Sequence, residues 1–538
     1  MNFRSIINTA ARLWTASMVL FCVSCSEIAE YGPEIGNLDK NDLKPVTLNI
    51  AVAHPDADLS TRAQKEYDDL TFTQDEAAVK NLVTFIVSVD NEGNEVYSYE
   101  DVEYIVTEIN PVEFYKGVYI LEHQIEVEPG KKHIYIGANM KRGHIDAFMM
   151  GKPLSLEGEG PAVNMIMTPD PSYSGKGTDI LMSGQVELIE GNTTTKEITI
   201  DEETKEYYLQ GDLERLTAKV LLTCKEGEPG LVATGGKGWV ETDKIRYTLN
   251  TENRQTYINK HTAEGIDINV DPNWEIENWV TSDGEITGTD YGQQFDFWTS
   301  EELKGRLFDE RYSASPLRYD EGKIGEGNSP NHYTEGIYTL ENTAFNNSFL
   351  ENGMKDKAAH NATTHVVIAV RFIPKKIYTY GAVNDPANNK PISYEDGTLT
   401  WDNVFSSFLV AVDGHQTGTY WTRKEADGEV RYYGHAAMNR YIALNPGSAE
   451  EFTCYEGGWS YFTTFVDGDL LNNKKLTYAN MEYWGVERDH YYILAIDSIT
   501  QPGSPFPDNA EYIKINSITT NWVDRGSQEV SISPKGGQ

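Results

Sequence analysis

Short runs of alternating apolar and polar residues, separated by turn-forming residues, dominate the chain. Residues 46–52 place Val46, Leu48, Ile50 and Val52 on one face of an extended segment, which is the period-2 pattern of a half-buried β-strand. Residues 82–89 form a longer apolar run that is typical of a strand covered on both faces. Further strands are predicted at residues 104–106, 118–121, 133–136, 180–182, 212–222, 365–373 and 491–496.

The spacing of these strands predicts an all-β fold of two antiparallel β-sandwich domains with transthyretin-like or Greek-key connections and few short helices. The best helical patterns are residues 75–81 and 300–311. A chain of 538 residues is long enough for two or more domains. We place the N-terminal domain at residues 63–220 and the C-terminal domain at residues 221–538.

The first 24 residues have the pattern of a bacterial lipoprotein signal peptide. Arg4 and Arg12 precede an apolar run at residues 13–23, and Ser24 stands just before Cys25. This run is shorter than the ~20 residues that a membrane-spanning helix needs. We expect cleavage before Cys25 and acylation of its thiol, while an ordinary signal peptide with a chance cysteine is the alternative.

The composition narrows the function further. The net charge of −38 comes from 45 basic and 83 acidic residues, and such a surface repels nucleic acid and anionic membranes. The histidines are scattered and form no metal-ligand motif, and no catalytic signature or cofactor motif is present in the sequence. We predict no enzymatic activity, no metal and no cofactor. Whether Cys224 and Cys454 pair stays open, because spacing alone does not decide it.

Two other stretches differ from the strand pattern. Arg62 and Ala63 lie in a polar, acidic segment after the first strand, and no other arginine occurs between Arg12 and Arg142. An isolated arginine in an exposed loop is a target for proteolysis, although it can equally be a solvated loop residue.

The second stretch is the tail, residues 512–533, in which two alternating segments have no following element to cover them. Its apolar positions are Ile513, Ile515, Ile518, Val530 and Ile532. Ile518 is out of phase with the first pair, so a bulge or a break must precede it. The tail can pair with another molecule or, like most last strands, within its own subunit.

Several ordered blocks resemble the fimbrillin family of the Bacteroidales, specifically the major subunit of short (Mfa-type) fimbriae, which is related to FimA. They include Leu181-Met-Ser-Gly184, Leu216-Thr-Ala-Lys-Val220, Ile245-Arg-Tyr-Thr-Leu-Asn250, Cys454-Tyr-Glu-Gly-Gly-Trp-Ser-Tyr461, Glu482-Tyr-Trp-Gly-Val-Glu-Arg-Asp-His-Tyr-Tyr492 and Ile496-Asp-Ser-Ile499. No single block is a catalytic signature, and their order along the chain carries the resemblance.

The resemblance implies a structural subunit of a fimbria on the cell surface that serves adhesion, biofilm formation and colonisation. Its precursor would be an outer-membrane lipoprotein acylated at Cys25. An Arg-specific protease would cut between Arg62 and Ala63 and release a propeptide, residues 25–62, that contains the first strand. The donor tail of another copy would replace that strand, displacing Val46, Leu48, Ile50 and Val52. The implied partners are other copies, accessory fimbrial subunits and the protease; the receptor is unknown.

Two alternatives stay open at this stage. A monomeric surface lipoprotein could bind glycans through aromatic residues such as Trp459, Tyr461, Tyr483 and Trp484. The chain could also be a tip or accessory subunit of the same fimbria.

Overall fold

The computed structural model describes the following parts of the chain: residues 43–53, 79–96, 102–107, 113–115, 118–140, 144–145, 154–155, 180–190, 193–225, 237–258, 273, 280–281, 285–287, 290–310, 312–319, 336–346, 361–378, 392–393, 418–447, 451–466, 476–478, 481–496, 499–507, 511–512 and 516–521.

The first group of strands precedes Leu216 in the chain. Its members are β1 (Lys44–Ala53), β2 (Leu82–Val89), β3 (Glu95–Val96), β4 (Val102–Thr107), β5 (Glu113–Tyr115), β6 (Val118–Val127), β7 (Gly130–Ala138), β8 (Leu154–Ser155), β9 (Met182–Glu190), β10 (Thr193–Thr195), β11 (Ile198–Ile200), β12 (Glu206–Asp212) and β13 (Glu214–Arg215). Except for β8, which pairs elsewhere, they join in one hydrogen-bonded network whose main path runs β3-β2-β7-β9-β12-β1-β6-β5.

This network forms a sandwich because β9 belongs to both of its halves. The first part of β9 pairs with β7 and the second part pairs with β12. Apolar side chains from both halves, among them Ile50 and Ile134, meet in one buried cluster. Gly184 lies at the change of partner, where a Cβ atom would collide with the backbone carbonyl of Asp212. Only glycine permits that close approach.

The remaining strands follow in chain order. They are β14 (Thr217–Lys225), β15 (Gly238–Val240), β16 (Arg246–Asn250), β17 (Glu252–Asn253), β18 (Gln255–Thr256), β19 (Phe295–Asp296), β20 (Leu317–Tyr319), β21 (Ile337–Leu340), β22 (Asn342–Asn346), β23 (His365–Pro374), β24 (Lys376–Ile377), β25 (Ile392–Ser393), β26 (Tyr420–Lys424), β27 (Val430–Gly434), β28 (Thr453–Tyr455), β29 (Trp459–Phe465), β30 (Leu476–Tyr478), β31 (Met481–Val486), β32 (His490–Ile496), β33 (Glu511–Tyr512) and β34 (Asn516–Asn521).

Two five-stranded sheets form a second sandwich. One sheet has the order β20-β14-β32-β34 and the other has the order β15-β23-β29-β33, with β21 and β16 paired to β14 and β23. Their facing side chains, such as Val220, Leu494, Ile368 and Phe462, form a second buried cluster. The pattern of alternation along β14 and β32 therefore places one face of each strand in this core.

The helices within the described residues are short. Those described over their whole length are α1 (Tyr291–Gln294), α2 (Ser300–Leu307) and α3 (His435–Leu444), with single 3₁₀ turns at Thr242–Lys244 and Glu456–Gly458. Helix α2 begins with a capping box, in which the Thr299 N–H donates to the Glu302 carboxylate at 2.8 Å. Its Leu303 and Leu307 pack on the outer face of β23 and β29. The helix predicted at 300–311 therefore exists but ends four residues earlier. The other predicted helix, 75–81, lies largely outside the described residues, and residues 79–81 are not helical.

The all-β fold class is confirmed, but the sheets are mixed where purely antiparallel sheets were expected. Among the described strands, β1 and β12, β14 and β20, β14 and β32, and β29 and β33 pair in parallel. Side-chain alternation has period 2 in both arrangements, so the sequence pattern does not distinguish them.

The switch between the two groups of strands occurs at Leu216. Strand β13 pairs with β9 of the first sandwich, whereas all of β14 pairs within the second. The Leu216 N–H donates to the carbonyl of Leu181 at 2.9 Å, and the Asp489 N–H donates to the carbonyl of Thr217 at 3.0 Å. The expected boundary after residue 220 thus falls inside β14, four residues beyond the switch.

A buried ion pair lies next to this junction. Arg488 and Glu341 are 3% and 0% exposed, and Arg488 Nε donates to Glu341 Oε2 at 2.9 Å. The guanidinium also donates to the carbonyls of Tyr257 at 2.7 Å and Ile258 at 3.1 Å. The Ile258 carbonyl in turn accepts a hydrogen bond from Ser183 of β9. The ion pair therefore fixes the segment through which the second sandwich contacts the first.

Candidate functional site

Strand β1 occupies an interior position in the first sandwich. It pairs antiparallel with β6 over its whole length, from Lys44 to Ala53, and parallel with β12 from Thr47 to Ala53. Both of its backbone edges are therefore hydrogen-bonded to neighbours, unlike the edges of a terminal strand. Without β1, the facing edges of β6 and β12 would be left as an open groove.

The inner face of β1 is part of the core. Val46 is 4% exposed, and Leu48, Ile50 and Val52 are each 0% exposed. All four belong to the cluster shared by both halves of the sandwich. Because full burial of such a side chain contributes roughly 1.5–3 kcal/mol, this face contributes on the order of 6–12 kcal/mol.

The outer face of β1 is flanked by polar groups. Asn49, which is half-buried, pairs with Glu122 on β6 and with Tyr208 on β12. The Tyr208 hydroxyl donates to the Glu206 carboxylate at 2.9 Å. That hydrogen bond, together with burial and the negative charges of Glu206 and Glu122, raises the pKa of Tyr208. A strand in the position of β1 thus has an apolar side and a side that faces acidic groups.

A buried histidine lies in the wall of this position. His123 on β6 is the register partner of Leu48, and its side chain is 8% exposed. Its Nε2 atom is buried and has no hydrogen-bond partner, and burial lowers the pKa of the ring. His123 was not among the site residues predicted from the sequence. Its place in the alternating pattern could have shown that it is buried, because His123 lies on the same inward face of β6 as Leu121 and Val127.

The residues predicted for lipidation and processing lie outside the described residues. These are Cys25, Arg62 and Ala63. Of the predicted donor positions, Ile513, Ile515, Val530 and Ile532 also lie outside them. The structure thus brings together the four predicted positions of β1. The predicted cut and most of the predicted donor positions stay predictions from the sequence.

Part of the predicted donor tail pairs within its own chain. Strand β33 pairs in parallel with β29, and β34 pairs antiparallel with β32, with Ile518 opposite Ile493. The two short strands belong to different sheets of the second sandwich. Residues 516–521 are therefore paired with β32 of the same chain. This is the alternative in which the last strand pairs within its own subunit.

Cys224 and Cys454 are not joined by a disulfide. Cys224 is buried on β14, and Cys454 on β28 is half-buried. Burial, followed by the negative charge of Glu456, raises the pKa of Cys454 to about 12. The open question of a Cys224–Cys454 disulfide is thus answered in the negative for this structure.

The aromatic residues considered for glycan binding have structural contacts. Tyr461 is 4% exposed and packs in the cluster beneath α2. The ring of Trp459 contacts that of Phe308 edge-on, with centroids 4.7 Å apart. Tyr483 and Trp484 lie on β31, and their side chains are outside the described set. Trp459 and Tyr461 thus serve the packing of α2 on the sheet.

Among the residues that the structure describes, no three or more His, Cys, Asp or Glu side chains come together in a group that could hold a metal ion. No helix in the same residues is long and apolar enough to cross a membrane.

Comparison with solved structures gives weak similarities over most of the chain. A protein described as a cell adhesion protein from Parabacteroides distasonis is 12% identical, with a TM-score of 0.37, covering 90% of this chain and 99% of that one. The fimbrilin FimA from Porphyromonas gingivalis is 11% identical, with a TM-score of 0.35, covering 88% and 98%. The tip fimbrial protein Mfa3 from the same organism is 12% identical, with a TM-score of 0.29, covering 89% and 100%. Values this low carry no functional argument.

The match to a protein-family model is more specific than the matches to solved structures, but it covers a shorter part of the chain. No curated protein matches the chain. Residues 453–528 match the family model described as major fimbrial subunit protein type IV, fimbrillin, C-terminal. The matched region begins with β28 and extends past β34 to residue 528. It supports a role as a fimbrial subunit, which is structural and not enzymatic, and a location in a fimbrium at the cell surface.

Proposed function

We propose that this chain is a fimbrial subunit that polymerises by strand exchange after proteolysis. The observation that carries the proposal is the interior position of β1, which is bonded along both edges and buried along one face. A segment in this position can be replaced by another strand but cannot be removed without replacement. The fimbrillin match at residues 453–528 supports the same role.

Loss of β1 changes the stability of the first sandwich by a large amount. The four buried side chains contribute on the order of 6–12 kcal/mol, which is comparable to the roughly 5–15 kcal/mol stability of a whole domain. The edges of β6 and β12 would lose their backbone partners at the same time. The resulting groove therefore binds a strand supplied in trans, with backbone bonds for affinity and alternate side chains for specificity.

The proposed cut lies a short distance after β1. Arg62 follows Ala53 by nine residues, a span that reaches at most about 30 Å when extended. Cleavage between Arg62 and Ala63 by an Arg-specific protease separates β1 from the body of the subunit. The propeptide is then residues 25–62, which in the precursor is anchored to the outer membrane through acylated Cys25.

The proposed donor is the tail of another copy. Because β33 and β34 pair within their own sandwich, Val530 and Ile532 are available without breaking those pairs. Donation of Ile513, Ile515 and Ile518 requires β33 and β34 to detach first. We therefore place the core of the donor after Asn521, in residues 522–533.

This arrangement makes an open polymer. The groove belongs to the first sandwich and the tail extends from the second, so each contact joins two different surfaces. Such head-to-tail contacts give filaments when the rotation does not close a ring. We propose that the two domains meet at Leu216. Accessory subunits and a surface receptor are further proposed partners of the chain.

Before cleavage, β1 also prevents assembly. It is part of the same chain, so it occupies the groove at a very high effective concentration. Polymerisation therefore waits for the protease, after the subunit has reached the surface.

The test is the Arg62→Ala variant in cells that make the polymer. We expect a folded, acylated monomer, seen as a single band on a gel run without boiling, in place of a ladder. Lys65→Ala is the matched control, since it removes the nearest alternative basic site, and it should leave the ladder intact. A normal ladder from Arg62→Ala, or polymers that retain residues 46–52, would overturn the proposal.

A further inference from the structure

The buried face around β1 contains a polar group that β1 does not satisfy. His123 projects into the core from β6, between Leu121 and Ile125 on its own strand and opposite Leu48 of β1. All three of these neighbours are apolar. The ring is more than nine-tenths buried, and its Nε2 atom has no hydrogen-bond partner.

An unsatisfied buried polar atom lowers the affinity of the groove for the strand that occupies it. The penalty is specific to an occupant with an apolar side chain at that position. A strand that brings a hydrogen-bonding side chain in place of Leu48 makes the same backbone pairs and also satisfies Nε2. Such a difference between two occupants is what determines specificity.

We propose that His123 is a specificity-determining residue of the groove, and that it selects Gln528 in the tail of a second copy of this chain. This inference rests on the proposed strand exchange. The side-chain amide of Gln528 donates to Nε2, so the donor is preferred over β1 at this one position.

The register that pairs these two residues also places two further apolar residues of the tail on the buried face, with Gly526 in the place of Val46. Gln528, Val530 and Ile532 have the same parity. With the donor running in the direction of β1 and Gln528 in the place of Leu48, Val530 replaces Ile50 and Ile532 replaces Val52. Residues 524–533 then cover the full length of β1, residues 44–53.

The residue that follows the tail supports an end of the donor strand at residue 533. Pro534 falls just beyond the last position of β1. Proline has no N–H to donate to a neighbouring strand, so it is tolerated near the end of an interior strand and not in the part that pairs on both sides. Pro45 likewise precedes the doubly paired part of β1, Thr47–Ala53. The strand-forming part of the tail therefore stops where the groove stops.

The same register makes a second, independent prediction on the outer face. Glu529 takes the place of Asn49, whose partner on β6 is Glu122. Like charges directly opposite each other weaken a strand pair. Glu529→Lys should therefore strengthen assembly in this register, and the gain should be smaller in a Glu122→Gln background.

The main experiment is a double-mutant cycle on the rate of polymerisation of the full chain after cleavage by an Arg-specific protease. Gln528→Leu alone and His123→Leu alone should each slow polymerisation about tenfold, because each leaves one polar group unpaired. The double variant should recover most of the rate, since two apolar groups then face each other. Gln538→Leu, the same change five residues beyond the tail, should leave the rate of polymerisation unchanged.

Two further measurements keep the outcomes distinct. The uncleaved His123→Leu precursor should melt at the same temperature as wild type or higher, which separates the effect from misfolding. Val530→Asp with Ile532→Asp should abolish polymers if the strand exchange is correct. If that variant blocks assembly but the cycle is additive, the role of His123 is refuted while the proposed function stands. If it assembles normally, the proposed function itself fails.

Discussion

Arg488 and Glu341 form an ion pair that is almost completely removed from solvent, at the side of the second sandwich that contacts the first. Thr256 adds a hydroxyl that donates to Glu341 Oε1 at 2.9 Å, while it also accepts from Arg488 at 3.0 Å. A buried charge is tolerated only when it is paired and hydrogen-bonded in this way. The pair therefore holds the junction in one geometry.

Breaking this pair from one side should destabilise the protein strongly. Glu341→Gln leaves the Arg488 charge buried without its partner, and we expect the free energy of unfolding to fall by about 3–5 kcal/mol. Urea denaturation of the purified precursor measures it. Glu301→Gln, at the exposed Lys304–Glu301 pair, is the control and should leave the midpoint unchanged. The double variant Arg488→Met with Glu341→Leu should be less destabilised than either single change.

The inner face of β1 should matter only before cleavage. Leu48→Ala removes fully buried volume, so the precursor should lose about 2–5 kcal/mol of stability. The polymer formed after cleavage no longer contains this residue and should melt like wild type. Asn49→Ala, on the outer face of the same strand, should change neither form by more than about 0.5 kcal/mol. Equal destabilisation of precursor and polymer would show that β1 is retained.

Removing residues 522–538 should separate folding from assembly. The truncated chain keeps β34 on β32, so its thermal unfolding should match that of the full chain. It lacks Val530 and Ile532, so it should cap growing polymers and form none by itself after cleavage. Deletion of residues 534–538 is the control and should polymerise. Electron microscopy of both cleaved proteins would reveal the difference, and fibres from the longer truncation would contradict the proposed donor.

The pH dependence of stability should have a component from His365. Burial lowers the pKa of His365 to about 4, against a weaker opposing effect of its 3.1 Å hydrogen bond to the Thr363 carbonyl. The folded chain thus disfavours the proton that the unfolded chain binds below a pH of about 6.5. Stability should fall as the pH drops from about 6.5 to about 4, by roughly 3 kcal/mol from this group.

His365→Gln should flatten that part of the curve. The comparison is the difference between wild type and variant across the pH range, because other groups titrate there as well. Among these, burial raises the pKa of Glu252 from 4.5 to about 7. This group destabilises the fold as the pH rises between those two values, so its effect has the opposite sign. Parallel curves for wild type and His365→Gln would show that His365 is not the source.

The two thiols should be nearly inert in the folded protein. Cys224 is buried, and the pKa of Cys454 is raised to about 12, so little thiolate exists at pH 8. We expect a thiol reagent such as dithionitrobenzoate to label the protease-matured chain slowly. After unfolding in guanidinium, Cys224 and Cys454 should both react at once without a reductant. Failure to label either residue after unfolding would reveal a disulfide.

The strands with strong hydrophobic patterns were predictable from the sequence. β2 has the predicted bounds, residues 82–89, and β23 differs from its predicted range by one residue. Their apolar runs are long and are bounded by turn residues, so local pattern and tertiary packing agree. The inner face of β1 follows from its alternation in the same way.

Other features depend on distant contacts that periodicity does not encode. The parallel pairing of β1 with β12 joins residues more than 150 positions apart, and nothing in either strand specifies the partner's direction. The pairing of β34 with β32 joins residues 21 to 31 positions apart, and the alternation of the tail does not show whether it pairs within its own chain or with another copy. His123 was missed because a histidine in an alternating strand reads as a polar residue, although its parity placed it inside.

The double pairing of β1 has a mechanical consequence. A strand seated between β6 and β12 is held by backbone hydrogen bonds along both sides, and these bonds lie across its axis. Force applied along the strand therefore loads all of them together in shear and does not open them one after another. A neighbour's tail in this position would give a fibre whose joints resist pulling by host tissue or flow, without a covalent bond between subunits.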